Sequence, residues 1–147
     1  MLLIDGYNLL HAMARGRATP EARDHLISLL ESHCRTRGVR ASIIFDPTGG
    51  LKRREQRGDL EIRSVAQGRT ADDEILAAFE TSDDRTAFTV VSNDRAIVTA
   101  AEKKGFKVVP CEDFARQILE RPDAPEKADS ASTAEVDYWM KEFGLEE

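Results

Sequence analysis

Three short apolar runs in this chain each lead to an aspartate, and that recurrence restricts the fold more than any other feature. Met1-Leu2-Leu3-Ile4 runs into Asp5, Ala41-Ser42-Ile43-Ile44-Phe45 into Asp46, and the run over 86–91 through Ser92-Asn93 into Asp94. Short runs rich in Val, Ile, Leu and Phe read as strands buried on both faces, the kind that parallel sheets contain. Helical patterns fall between them. Thr19-Pro20-Glu21 is a helix start with proline in the first turn, Leu26, Ile27, Leu29 and Leu30 supply its apolar stripe, and Gly38 ends it. Thr70 caps a second helix, with Asp73 at its third position and Ile75, Leu76 and Phe79 on its buried side. A third helix covers 95–104 and closes at Gly105, and a fourth covers 112–121. Residues 60–65 alternate apolar and polar, as a strand with one wet face near a sheet edge does, and 106–110 is the last strand. Residues 51–58, basic and flanked by glycines, read as a mobile loop or a frayed helical turn. Strands alternating with helices require crossover connections, hence an α/β fold with a mainly parallel sheet and helices on both faces.

At 147 residues the chain suits one domain, expected over 1–121. Pro122, Pro125 and a Ser/Ala/Asp mixture mark 122–133 as a linker. An amphipathic helix follows over 134–144, opened by Ser132 and Glu135 and carrying Val136, Trp139, Met140 and Phe143 on one face. Such a face must dock, on its own domain, on a second protomer or on a partner protein, so the oligomeric state stays open. No apolar run approaches the roughly 20 residues of a membrane span. No basic region, apolar core and cleavage site open the chain, and Cys34 and Cys111 form no CxxC pair. These features lead to the expectation of a cytoplasmic protein without a disulfide framework or zinc site. The net charge of −6 argues against a protein that coats nucleic acid, yet residues 35–69 hold nine basic and four acidic side chains. A local basic zone on an acidic protein fits a phosphate-bearing partner at one site.

A lone aspartate after a strand usually caps a turn. Here Asp5, Asp46 and Asp94 share one sheet edge with Asp72 and Asp73, which open the helix after Thr70. Carboxylates so gathered raise one another's pKa and call for a cation. Hard oxygen donors point to Mg²⁺ or Mn²⁺, and phosphodiester hydrolysis is the reaction that such an ion serves. Asn8, Asn93, Ser92 and Thr70 can orient a water or a phosphate oxygen. Lys52, Arg53, Arg54, Arg57 and Arg69 can hold a nucleic-acid backbone, and Tyr7 can stack on a base or pack in the core. No GxxxxGK[ST], GxGxxG or GxSxG motif is present, the second aspartate of a haloacid-dehalogenase-type phosphatase is missing, and His11, His25 and His33 lack zinc spacing.

Asp5-Gly6-Tyr7-Asn8, Phe45-Asp46, Gly68-Arg69-Thr70-Ala71-Asp72-Asp73-Glu74-Ile75 and Val90-Val91-Ser92-Asn93-Asp94-Arg95-Ala96, in this order over about residues 1–120, resemble the NYN-domain family. The nearest branch is the bacterial YacP-like one, within the PIN-like nuclease superfamily. Where that branch often has Ser or Thr before Ser-Asp-Arg, this chain reads Ser92-Asn93-Asp94-Arg95, which leaves the acid in place. The resemblance implies a PIN-like three-layer α/β/α sandwich and a metal-dependent endoribonuclease using Mg²⁺ or Mn²⁺. Its substrate would be single-stranded or flexible RNA, with the ribosome as one assembly that could present it. Carried over position by position, it implies Asp5, Asp72, Asp73 and Asp94 as the catalytic metal site, with Asn8 beside them and Asp46 ranked behind. The competing expectations are a catalytically weak RNA-binding or adaptor domain using the same groove, and a small-phosphate hydrolase.

Overall fold

The computed structural model describes residues 1–14, 19–46 and 53–119, so Lys52, the linker over 122–133 and the helix expected over 134–144 lie outside the described residues. Strand β1 (Leu2–Asp5) is followed by helices α1 (Gly6–Ala14) and α2 (Pro20–Arg37), then by β2 (Ala41–Phe45), β3 (Arg53–Arg57) and β4 (Leu60–Ser64). Helix α3 (Ala71–Thr81), β5 (Thr89–Val91), α4 (Arg95–Lys104), β6 (Lys107–Val109) and α5 (Cys111–Leu119) complete the order. The six strands form one sheet in the order β3-β4-β2-β1-β5-β6, parallel except for β3 against β4.

Residue alternation along the strands builds the layers. Leu3 and Ile44 face one side, where Ile75 and Phe79 of α3, Ile97 of α4, and Phe88 and Phe106 fill the core. Ile4, Ile43 and Phe45 face the other, against Leu9, Leu10 and Met13 of α1, Leu26 and Leu30 of α2, and Phe114 of α5. The result is a three-layer α/β/α sandwich. From β1 the chain moves outward through β2 to β4 and β3, then returns to lay β5 and β6 on the opposite side of β1. The carboxyl ends of β1 and β5 therefore flank the point where strand order reverses, the place where open α/β sheets bind ligands. Among the described residues no helix is long and apolar enough to cross a membrane.

Three local features differ from the sequence expectation. Residues 53–57 are neither a loop nor a helical turn but the edge strand β3, joined to β4 through Gly58 (φ 59°) and Asp59. No apolar period announces β3 because both its faces are wet; its backbone ladder and the Arg54–Glu61 ion pair (3.0 Å) hold it in place. Strand β5 begins at Thr89 rather than 86, and Asp94 sits beyond its end as the N-cap of α4. Finally, a helix that no capping signal in the sequence marks, α1, begins directly at Gly6 with no loop after β1.

That abrupt passage depends on the missing side chain of Gly6. A Cβ there would lie 2.6 Å from Phe45 Cδ1 and 2.8 Å from the Ile44 carbonyl oxygen. Gly6→Ala is expected to destabilise the fold by about 2–3 kcal/mol through overpacking. Urea denaturation with an unchanged midpoint would contradict this.

Candidate active site

Strands β1, β4, β5 and β6 each lead into a helix, whose unpaired N-terminal N–H groups bind acidic side chains at this edge of the sheet. Asp5, the last residue of β1, is only 5% exposed. Its carboxylate accepts the Asn8 backbone N–H and the Ser92 hydroxyl, the latter at 3.3 Å. Ser92 Oγ in turn accepts the Asp94 N–H at 3.0 Å. Asp94 Oδ1 accepts the Ile97 N–H (3.2 Å), and Asp46 Oδ1 accepts the Ala71 N–H at the start of α3 (2.8 Å). Helix N-termini carry about half a positive charge each, which offsets part of the repulsion among the acids.

Asp72, in the first turn of α3, joins the group. Its carboxyl is within hydrogen-bonding reach of Asp5 on one side and of Asp94 on the other. Burial, then the Asp72 charge, pushes Asp5 up to about 7, and burial followed by the Asp94 charge raises Asp72. The raised Asp5 and Asp72 carboxyls, in contact with each other, favour a proton between them unless a cation takes its place. They line an open cleft of about 560 Å³ together with Asp46, Asn8 and Thr70.

The side chains divide on inspection. Asp5, Asp46, Asp72 and Asp94 meet in the cleft. Asp73 does not line it. Its Oδ2 accepts the Thr70 N–H at 2.9 Å while Thr70 Oγ1 accepts the Asp73 N–H at 3.1 Å, a reciprocal capping box. Asn8 and Asn93 lock elements together: Asn8 Oδ1 accepts the Asn93 N–H (2.6 Å), and Asn93 Oδ1 accepts the Cys111 N–H (2.8 Å). Ser92 is 1% exposed and orients Asp5 rather than facing a ligand.

The basic residues are dispersed by strand register. Arg53 pairs with Ser64, which pairs with Phe45, so it stands at the cleft end of the sheet. Arg57 pairs with Leu60, which pairs with Ala41, so it stands at the far end, four strand residues or about 13 Å away. Arg54 pairs with Glu61 at 3.0 Å, Arg57 with Glu55 at 2.7 Å and Arg69, at the cleft end before α3, with Glu74 at 3.5 Å.

The sequence reading did not single out Glu112 and His11 on the cleft wall. Glu112 accepts both contacts of Asn93 Nδ2, at 3.0 and 3.1 Å. The rule applied to the other strands, an acid in the helix turn after a parallel strand, would have found it after β6.

Among the described residues, no three His, Cys, Asp or Glu side chains form a ready-made cage for an ion. The fit is one of donor chemistry: carboxylate oxygens of Asp5, Asp72 and Asp94 meet in pairs, and hard oxygen donors of this kind suit a divalent cation such as Mg²⁺ or Mn²⁺.

The three-layer architecture, with its acidic cleft at the switch point, matches the PIN-like fold of the solved YacP structures. A model of the YacP-like NYN domain matches residues 2–143, and the chain belongs to that nuclease-like family. A crystal structure of Rae1 (YacP) from Bacillus subtilis is similar at 22% identity with a TM-score of 0.67, covering 99% of this chain and 84% of that one. The W164L mutant of the same protein aligns at 23% identity and TM-score 0.64 over 80% of this chain and 73% of that one. Among curated proteins there is no significant match.

Proposed function

We propose that the chain is a metal-dependent endoribonuclease that hydrolyses phosphodiester bonds in cytoplasmic single-stranded or flexible RNA. The observation that carries this reading is the Asp5–Asp72–Asp94 run of linked carboxyls at the switch point of a nuclease-family fold. Bound Mg²⁺ or Mn²⁺ would supply an activated water and stabilise the departing oxygen. Asp5, Asp72 and Asp94 would be the ligands, and Asp46, whose Oδ1 accepts the Ala71 N–H, would hold α3 in place beside them. Ser92 and the Asn8 N–H fix the buried Asp5 oxygens, and Asp73 acts one step back by capping α3. Arg53, by strand register, and Arg69 stand at the cleft end of the sheet, where the RNA backbone would pass; Arg57 stands at the far end.

The test is cleavage of a single-stranded RNA with Mg²⁺ or Mn²⁺ and with EDTA. The wild type is expected to cut only with the ion, and Asp94→Asn to cut at least about 100-fold more slowly while retaining RNA binding. Tight binding with no cutting by the wild type would instead identify an RNA-binding domain, and turnover of free nucleotides a small-phosphate hydrolase.

A further inference from the structure

Beside the acids, the cleft is lined by α1, which presents Tyr7 and His11 one helical turn apart. Their ring centroids are 6.3 Å apart and inclined at 46°. Tyr7 is half-buried and His11 exposed, so both rings border open space, and the small Ala12 beside them leaves that space clear. Tyr7 is also held from behind. Its ring meets Phe45 edge-on at 5.2 Å, and the Arg23 guanidinium lies 4.4 Å from the centre of the Phe45 ring. On another side Phe45 packs against Gly6, where a Cβ would meet its ring. Tyr7 thus packs against the core on one side and lines the cleft on the other.

The geometry points to a base-stacking subsite: Tyr7 and His11 receive one unpaired nucleobase, next to the phosphate that sits over the carboxylates. The inference rests on the nuclease reading above and extends it to the substrate. A base in a duplex is covered on both faces by its neighbours, whereas an unstacked base offers a π-face to Tyr7. The α1 wall therefore selects unpaired RNA without reading sequence, because every base has such a face.

The experiment uses the full chain in Ca²⁺ and a single-stranded RNA in which 2-aminopurine is walked one position at a time. At one position the wild type and Tyr7→Phe are expected to quench the fluorophore. Tyr7→Leu, which retains apolar packing on Phe45, should lose that quench and bind about tenfold more weakly. An abasic nucleotide at that position should make wild type and Tyr7→Leu bind alike. His11→Ala, at an exposed position that leaves folding intact, should weaken binding about threefold and gives a readout should Tyr7→Leu fail to fold. Unchanged quench and affinity in Tyr7→Leu, or in His11→Ala if Tyr7→Leu is unfolded, would overturn the subsite; so would equal affinity of the wild type for duplex and single strand. Cleavage by the wild type in Mg²⁺ or Mn²⁺, scored separately, tells failure of the subsite from failure of the nuclease reading.

Discussion

Asp5→Asn is expected to abolish RNA cleavage, by at least about 10³-fold, while making the metal-free protein more stable. The two effects have one cause. In the free protein the Asp5 carboxyl stands at about 7, raised by burial and then by Asp72, against an ordinary value of 3.8. Between those two values the folded chain retains a proton that the unfolded chain has released. Stability therefore falls as pH rises from about 4 to about 7, and the whole penalty is present above 7. Asparagine keeps the shape and an oxygen to accept the Ser92 hydroxyl, but carries no charge to bury. At pH 8 in EDTA the gain is expected to be on the order of 2 kcal/mol, or a rise of about 5 °C in melting temperature. At pH 4 wild type and variant should melt nearly together. A variant that melts below wild type at pH 8 would show that Asp5 is not under electrostatic strain.

The second large effect is stabilisation by the ion. Mn²⁺ or Mg²⁺ at about 100 times its dissociation constant should add about 2.7 kcal/mol to the wild type. An ion held at Asp5 would compete with the proton that the carboxyl otherwise holds, so binding near pH 7 should release up to about one proton, and affinity should drop as pH falls below 7. Calorimetry in two buffers of different ionisation enthalpy measures the released proton directly, and thermal melts measure the stabilisation. Asp5→Asn should lose both. A wild type whose melting temperature ignores the ion, with no proton released, would falsify the metal assignment.

Much of this protein is written locally in its sequence. Thr19, Gly38, Thr70 and Gly105 announce helix ends because capping is settled within a few residues, and each occupies such an end in the structure. Strands β1 and β2 are legible because burial on both faces demands continuous apolar runs. Strand β3 was hidden because its side chains, Arg-Arg-Glu-Gln-Arg, carry no trace of its pairing with β4. Helix α1 was hidden by its nine-residue length and its direct junction with β1. The acidic cleft could be anticipated from strand ends, but the sequence offered Asp72 and Asp73 as equals. Only the fold separates them, turning Asp72 toward Asp5 and Asp94 and committing Asp73 to Thr70. Likewise the basic zone over 35–69 is a unit along the chain but not in space, since Arg53 and Arg57 stand at opposite ends of one strand.

Strand β1 is only four residues long, yet it lies between β2 and β5 with both ladders formed. It works as a ruler: Leu3 belongs to one core, Ile4 to the other, and Asp5 opens into the cleft. Deleting one residue within β1 leaves two outcomes: either the residues N-terminal to the cut exchange faces, putting each apolar side chain into the other core, or they keep their faces and Asp5 is drawn back from the cleft. The place of the acid and the packing of both cores are thus set by the same four residues.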